Sequence, residues 1–251
     1  MINKIKVRLL GSGTILTGGG QACSSTLIET SREKILVDCG PGSLLQLKKS
    51  GIQPEQIDFV FLTHFHPDHV ADLIPFIFFL ANSRIQEKGS VQIWGPAGLK
   101  SLMDGFRQIY GNWLDSPQVA INELSESVLQ FPAFSVKWLK VLHNAESVGY
   151  RFNLKQKIIS FSGDSGYCPE LIDLCRQADL AVLECSYPDE KETPGHLTPG
   201  KVGQIGLQAE IKHLIITHLY PEVQQLDPEV LIKKTYQGIV EVGMDFDQFY
   251  L

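Results

Sequence analysis

The sequence lacks the features that mark a membrane protein, a disulfide-rich secreted domain or a nucleic-acid-binding domain. Its most apolar stretch, Leu73 to Ala81, is far shorter than the roughly 20 residues that span a bilayer. Residues 1–4 do not resemble the start of a signal peptide, and the five cysteines form no CxxC pair, so we expect reduced thiols and a cytoplasmic location. The net charge is -6 and no lysine- or arginine-rich cluster occurs, which argues against a broad binding surface for nucleic acid.

No internal repeat, low-complexity tract or flexible linker divides the chain, and we predict a single domain over residues 1–251. Two glycine-rich segments, residues 11–13 and 18–20, lack the spacing and the following helix of a dinucleotide-binding loop. Hydrophobic residues make up 43% of the chain and charged residues 20%, which is typical of a globular protein with a sizeable core. The apolar run Phe76–Leu80 is expected in that core rather than in a subunit contact, because an exposed patch of this kind would be adhesive.

One short segment, Thr63–His69, reads Thr-His-Phe-His-Pro-Asp-His and holds four potential metal ligands. These ligands are His64, His66, Asp68 and His69. The segment follows an apolar run that predicts a strand, Phe59–Leu62, and precedes residues 70–81, which predict a helix. A strand that ends in a turn before a helix presents side chains at the carboxyl end of a sheet. Imidazole and carboxylate together suit zinc or a similar first-row ion, so the segment predicts a metal site.

Further ligand-type residues also follow predicted strands. The four strand ends of this kind lie at His64, His143, Asp164 and His218. Alternation of apolar and polar residues predicts half-buried strands over Phe134–Val141 and Gly149–Leu154, and a last strand is expected near residues 239–246. Four strands that deliver imidazole or carboxylate at one end are what a site on the rim of a rigid sheet needs.

The histidines also argue for a catalytic rather than a structural metal site. Of the seven, only His213 lacks a motif-like setting, and we expect it to be a solvated residue at a helix end. Closed structural zinc sites usually use paired cysteines, which are missing, and one tetrahedral ion cannot accept so many nitrogen and oxygen ligands. Two ions that share a carboxylate accommodate the set, and that arrangement is catalytic.

These residues resemble the metallo-β-lactamase-fold hydrolases and, within them, the ribonuclease Z-like branch. The matching segments are Leu10–Thr14, Val37–Gly40, Thr63–His69, His143, Phe161–Ser165, Gly195–Thr198 and Thr217–His218. The resemblance covers nearly the whole chain and implies an α/β (α+β) fold, a four-layer αββα sandwich of two packed sheets flanked by helices. It also implies a metal-dependent hydrolase.

The resemblance further implies a role for each site residue. One divalent ion would be held by His64, His66 and His143, and a second by Asp68, His69 and His218. Asp164 would bridge the two ions together with a water or hydroxide. The expected catalytic residues are Asp68, His196 and Glu184, with His196 on the substrate phosphate and Glu184 as its acidic partner. Asp38 matches a buried aspartate behind the ligands, with a structural role.

One departure from the family pattern concerns the substrate. Ribonuclease Z enzymes that mature transfer RNA carry a long inserted arm, whereas only residues 144–163 separate His143 from Asp164 here, enough for two strands and a tight turn. Without the arm, and with an acidic chain, transfer RNA is disfavoured as a partner. A small or cyclic phosphodiester is the expected substrate, no membrane is expected as a partner, and a homodimer is expected by analogy alone.

Two alternatives use the same residues. A carboxylic ester, lactone, thioester or sulfate ester could replace the phosphodiester, because metal ligands do not discriminate among these bonds. An iron-dependent redox enzyme on the same fold is the second alternative, and a metal analysis with a visible spectrum would separate it. Zinc is the expected ion, although manganese and iron accept the same donors.

Overall fold

Two seven-stranded mixed sheets organise the residues that the structure, a computed structural model, describes: 4–16, 20–83 and 90–251. The chain divides into two units, the first formed by residues 1–11, 21–125 and 245–250, and the second by residues 12–20, 126–244 and 251. Residues 17–19, part of the second glycine-rich segment, lie outside the described residues. Among the residues that are described, no helix is both long and apolar enough to cross a membrane.

The sheet of the first unit has the strand order β14-β1-β2-β3-β4-β5-β6. Its strands are β1 (Lys6–Gly11), β2 (Ser25–Glu29), β3 (Lys34–Val37), β4 (Phe59–Phe61), β5 (Val91–Gly95), β6 (Val119–Glu123) and β14 (Gln248–Tyr250). Its helices are α1 (Ser43–Lys49), α2 (Pro67–Val70), α3 (Leu73–Asn82) and α4 (Leu99–Tyr110). The strands from β3 to β6 pair in parallel, so their carboxyl ends lie at one edge of the sheet.

Helices cover one face of this sheet. Leu47 of α1, Phe76 of α3 and Met103 of α4 are fully or almost fully buried and belong to the same apolar cluster as Val60 and Ile93 of the sheet. Burying side chains of this size contributes roughly 1.5–3 kcal/mol each. The cluster holds the helices against the strands that lead to the histidine-rich segment.

The sheet of the second unit has the order β13-β12-β11-β10-β9-β8-β7. Its strands are β7 (Val128–Gln130), β8 (Phe134–Lys140), β9 (Val148–Leu154), β10 (Lys157–Phe161), β11 (Leu180–Glu184), β12 (His213–Thr217) and β13 (Ile239–Val242). Its helices are α5 (Pro169–Cys175), α6 (Pro199–Gln208), α7 (Pro221–Gln224) and α8 (Pro228–Lys233). The strands from β10 to β13 pair in parallel.

Helices cover one face of this second sheet as well. Leu171 of α5, Val202 of α6 and Ile232 of α8 are fully buried in one cluster with Leu183 and Leu214 of the sheet. The short connection between His143 and Asp164 contains only the hairpin of β9 and β10. Its two turn residues, Lys155 and Gln156, have φ values of 48° and 71°, the left-handed pair of a two-residue hairpin turn.

The helix predicted over residues 70–81 is instead two helices, α2 and α3. A continuous helix would place Pro75 in its interior, where proline removes a hydrogen bond and clashes with the preceding turn. The break puts Pro75 in the first turn of α3. Asp72 lies between the two helices, and its carboxylate accepts hydrogen bonds from the backbone N–H groups of Gly42 (3.1 Å) and Leu44 (3.0 Å) at the start of α1.

Three other expectations were wrong or incomplete. His213 does not end a helix; it opens β12 and contacts Glu241 at 2.6 Å. Phe76 and Ile77 are buried as predicted, but Phe78 is 43% exposed because it lies on the outer face of α3. The strand expected near residues 239–246 ends at Val242, and β14 follows it.

Candidate active site

In the first unit, the histidine-rich segment follows β4 and forms a buried cluster at the carboxyl edge of the parallel strands. The ring of His64 lies 4.7 Å from that of His66 and 4.2 Å from that of His69, between centroids. His64, Asp68 and His69 are buried, and His66 is half-buried. Pro67 begins α2, so one helical turn brings Asp68 and His69 back beside the strand end.

A single carboxylate, that of Asp38, organises this cluster. It follows β3, is 2% exposed, and contacts Nδ1 of His69 at 2.8 Å. It also accepts the backbone N–H of Thr63 at 2.8 Å and the hydroxyl of Thr63 at 3.0 and 3.1 Å. The Thr63 hydroxyl in turn lies 3.0 Å from Nδ1 of His64. Asp38 therefore holds one histidine directly and another through a hydroxyl.

The loop after β3 also packs tightly on this segment. Cys39 donates its N–H to the carbonyl of His69 at 2.7 Å. A Cβ on Gly40 would stand 2.0 Å from the carbonyl oxygen of Asp68, so only glycine fits there. The Val37–Gly40 motif thus allows the backbone of this loop to approach the ligand-bearing turn closely.

In the second unit, the predicted site residues lie at one edge of the sheet for a topological reason. β8 is antiparallel to β9, which is antiparallel to β10, so β8 runs in the same direction as β10, β11 and β12. His143, Asp164 and His218 follow β8, β10 and β12, whereas Glu184 ends β11 and His196 comes after it. A carboxyl edge shared by four strands brings them together.

Asp164 is the centre of this second cluster. Its carboxylate is 3.9 Å from Nε2 of His143 and 3.6 Å from Nε2 of His218, and it is almost fully buried. The ligand atoms of Asp164, Glu184 and His196 lie within 4.8 Å of one another. The structure thus brings the predicted second-unit residues into one cluster.

Glu184, at the end of β11, is the organising carboxylate here. Its Oε1 accepts the N–H of Ser165 at 2.8 Å and contacts Nδ1 of His196 at 2.9 Å. Its Oε2 accepts the N–H of Leu197 at 3.2 Å and the hydroxyl of Ser186. The Ser186 hydroxyl also lies 3.2 Å from Nδ1 of His218. Glu184 repeats the arrangement of Asp38, with one histidine held directly and another through a hydroxyl.

Two tyrosines that the sequence did not single out stand beside His196. The ring of Tyr187 is 5.4 Å from that of His196 and 5.1 Å from that of Tyr220, and Tyr220 is 5.8 Å from His218. Both tyrosines are half-buried. The sequence signal for Ser186 is its i, i+2 spacing from Glu184 at the end of β11, since alternate residues of extended backbone place their side chains on one face. Tyr220 has no such signal, because the left-handed backbone of His218 interrupts the alternation.

The nitrogen atoms of these histidines fit a metal site. His64, His69, His143 and His218 each engage Nδ1 with a protein oxygen, which for His143 is the carbonyl of Gly195 at 2.9 Å. In a metal-binding histidine, one ring nitrogen generally forms a hydrogen bond with a protein group in this way and the other nitrogen binds the ion. Buried carboxylates complete a donor set of imidazole nitrogen and carboxylate oxygen, which suits a divalent first-row ion.

The cysteines play no comparable part. All five are buried free thiols, as predicted. Burial raises the pKa of Cys23 to about 11 and that of Cys175 to about 12, and it raises the pKa of Cys39 and of Cys185 well above the usual value. Such thiols are weak nucleophiles and poor metal ligands at neutral pH.

The chain matches known proteins over nearly its whole length. A family described as "Beta-lactamase superfamily domain" matches residues 33–219, a range that contains every predicted ligand and catalytic residue from His64 to His218. A ribonuclease Z from Clostridium tetani is 24% identical in an alignment of 290 residues that covers 91% of this chain and 92% of that protein. That alignment is longer than this chain, so the relative carries segments that this chain lacks.

Solved structures give the same fold. The metallo-β-lactamase fold protein YhfI from Bacillus subtilis is similar with a TM-score of 0.87 and 22% identity, over 99% of this chain and 100% of that one. A diphosphatase from the PhnP family is similar with a TM-score of 0.75 and 20% identity, over 99% of this chain and 97% of that one. The predicted fold class, two mixed sheets flanked by helices, is confirmed.

Proposed function

This chain belongs to the beta-lactamase superfamily and is a metal-dependent hydrolase, and we propose that it is a dinuclear phosphodiesterase for small or cyclic phosphodiesters. The observation that carries the proposal is the pair of His196 and Glu184 beside Asp164 in the second unit. The imidazole of His196 is held by the buried carboxylate of Glu184 beside a candidate metal ligand, where it could donate a hydrogen bond to a phosphate oxygen of the substrate.

In this proposal the predicted ligands hold two divalent ions. His64, His66 and His143 would hold one ion, Asp68, His69 and His218 would hold the second, and Asp164 would contribute to both. The support is the donor chemistry of each cluster together with the family match, which spans the residues of both. When bound, such ions would lower the pKa of a coordinated water to about 7 and neutralise charge on phosphoryl oxygens.

The protein residues would bind the substrate and manage its protons. Glu184 accepts the Nδ1 hydrogen of His196 and favours the charged imidazole, so Nε2 of His196 can hold a phosphate oxygen. As water adds to phosphorus and the P–O ester bond breaks, the same Nε2 hydrogen can pass to the leaving oxygen, which becomes a neutral hydroxyl group. Asp68 would serve as a ligand, and its place among the catalytic residues stays a prediction.

Tyr187 and Tyr220 favour a substrate with an aromatic part. Their half-buried rings stand 5.4 and 6.4 Å from the ring of His196, the residue proposed to bind phosphate. Every nucleobase offers a π-face for stacking on such rings. A nucleoside phosphodiester, including a cyclic one, would therefore place its phosphate at His196 and its base on the tyrosines.

The test is metal-dependent turnover of bis(p-nitrophenyl) phosphate and of cyclic nucleotides with added Zn²⁺ or Mn²⁺. Replacing a metal ligand should lower turnover by more than about 100-fold, which is the upper effect of losing a residue behind the ligands. The variants are Asp164→Ala and His66→Ala, and the control is His213→Ala, which removes a histidine paired with Glu241 instead.

Unchanged turnover in both ligand variants would overturn the metal assignment. The same enzyme should be offered a lactone, a thioester and a sulfate ester. Turnover of one of these without any phosphodiester cleavage would replace the proposed substrate class and leave the metal centre in place.

A further inference from the structure

We propose that the hydroxyl groups of Thr63 and Ser186 are positioning groups that fix the ring tautomers of His64 and His218 and so set the metal affinity of the site. The inference rests on the metal centre of the proposed function but not on its substrate. Neither residue carries a role by the motif resemblance, and both lie inside the hydrogen-bond networks of the two organising carboxylates.

The argument begins with the single hydrogen of a hydroxyl group. Thr63 faces two groups, the Asp38 carboxylate at 3.0–3.1 Å and Nδ1 of His64 at 3.0 Å. A carboxylate only accepts hydrogen bonds, so the hydroxyl hydrogen points to Asp38. The lone pairs of the hydroxyl oxygen then face Nδ1 of His64, and this contact is favourable only if Nδ1 carries a hydrogen.

Ser186 satisfies the same condition in the second unit. Its hydroxyl lies against Oε2 of Glu184, 3.1 Å from the carbonyl oxygen of His218 and 3.2 Å from Nδ1 of His218. Two of these three neighbours can only accept, so the hydroxyl hydrogen is used there and Nδ1 of His218 must donate. Ser186 is fully buried, so no bulk water can take its place.

The tautomer matters because a neutral imidazole has one lone pair for a metal. With the hydrogen on Nδ1, the lone pair is on Nε2, and in His218 that is the nitrogen that faces Asp164 at 3.6 Å. His218 also has a left-handed backbone, with φ at 57°, which is strained for a residue other than glycine. If its ring lost the hydrogen bond to Ser186, this backbone could relax and move the ring. Through these two hydroxyls, each carboxylate therefore orients a second histidine as well.

The experiment measures zinc affinity of the metal-free protein by competition with a chromophoric chelator. Thr63→Val and Ser186→Ala should each raise the zinc Kd by about 10- to 100-fold, the usual effect of losing a partner behind a ligand. The hydroxyl-retaining variants Thr63→Ser and Ser186→Thr should stay within about threefold of the parent. Ser160→Ala is the matched control, because Ser160 is equally buried and donates to the carbonyl of Leu174 at 2.7 Å.

Histidine ¹⁵N spectra of the metal-free protein give the second readout. In the parent, His64 and His218 should be Nδ1–H tautomers, and Thr63→Val and Ser186→Ala should each convert one of them to a mixture. Thermal unfolding of each metal-free variant shows whether it folds. If the extra methyl group of Ser186→Thr prevents folding, the comparison of Thr63→Val with Thr63→Ser decides the question.

Unchanged zinc affinity and unchanged tautomers in both deletion variants would overturn the proposal. Equal losses in the deletion and the hydroxyl-retaining variants would overturn it too, because packing rather than the hydroxyl would then be responsible. None of these readouts uses a substrate, so a failure of the phosphodiesterase assay leaves their meaning intact.

Discussion

Asp38 and His218 both adopt backbone conformations that most residues avoid. Their φ values of 60° and 57° fall in the left-handed region, which costs about 1–3 kcal/mol for a residue other than glycine. Each is held there by hydrogen bonds: the N–H of Asp38 donates to Phe61 at 2.9 Å, and that of His218 donates to Ser12 at 2.9 Å. The strain is local and aims a carboxylate and an imidazole into the two clusters.

At the same scale, the tyrosine pair predicts substrate preference. Tyr187→Leu and Tyr220→Leu should each raise the KM for a cyclic nucleotide about 5- to 10-fold, the lower part of the range for one base stacked on an aromatic ring. The KM for a cyclic phosphodiester of a sugar without a base should change little, because it has nothing to stack. Steady-state kinetics with both substrates check this.

The matched controls are the phenylalanine variants, which keep the ring, and Tyr250→Leu, which removes a ring 58% exposed on β14 of the first unit. An equal rise in KM for both substrates would show that the tyrosines shape the pocket without binding a base.

At the scale of whole elements, the two edges of the second sheet have different tasks. The carboxyl edge carries the candidate site residues, whereas Asp179, just before β11, stabilises the opposite edge. Its carboxylate accepts the N–H of Ile158 at 2.9 Å and contacts the amino groups of Lys157 at 3.2 Å and Lys212 at 3.0 Å. One buried carboxylate thus joins the starts of β10, β11 and β12 on the side remote from the site.

Asp179→Asn should therefore destabilise the protein without changing catalysis. Burial opposes the charge of Asp179, but the hydrogen bonds from Ile158, Lys212 and Lys157 outweigh it and hold the pKa below its ordinary value of 3.8. At pH 7 we expect a loss of about 1–3 kcal/mol in the free energy of unfolding, measured with urea.

The sign of the pH dependence follows from the lowered pKa. Stabilisation by a carboxyl group of this kind is complete above its unfolded value and is lost as the pH falls through the lower folded value. The difference between parent and Asp179→Asn should therefore shrink below about pH 4. Asp173→Asn is the control, since it breaks only an exposed contact with Lys137 and should change stability by less than about 1 kcal/mol. A constant difference across this pH range would exclude the charge of Asp179 as the cause.

At the scale of the whole molecule, the two units repeat one plan. Each has a mixed sheet with four parallel strands, helices on one face and a buried carboxylate that organises histidines at the carboxyl edge. Between His143 and Asp164 only the β9–β10 hairpin occurs, and the net charge of the chain is -6. The molecule therefore offers no inserted arm at that point for a large polyanion.

We expect no processing of precursor transfer RNA under conditions in which small phosphodiesters are cleaved. An acidic chain gains little from counterion release, so binding near 0.15 M salt should be undetectable in a gel-shift assay. The ribonuclease Z of Clostridium tetani serves as the positive control for cleavage. Specific cleavage of the precursor at a rate similar to that of a small phosphodiester would contradict the substrate assignment.

Much of the fold and site was predictable because the signals are local. Thr198 and Pro199 begin α6, as the N-cap and first-turn preferences of threonine and proline indicate. The strands before His64, Asp164 and His218 follow from continuous apolar runs. The break between α2 and α3 is not evident from the sequence, because continuous apolar residues on both sides of it hide the restriction at Pro75. The position of His213 is not evident either, because one partly exposed histidine carries no periodic signal.

The sequence by itself determined the kind of chemistry: the ligand-type residues, their positions at strand ends and the absence of a long insertion after His143. These follow from residue type and spacing, which are local properties. Only the tertiary structure decided how the residues are held, because the contacts of Asp38 with Thr63 and His69, and of Glu184 with His196 and Ser186, join segments through sheet pairing. Strand direction, set by hydrogen bonding between distant segments, placed the second-unit residues at one edge and brought two unremarked hydroxyls and two tyrosines beside them.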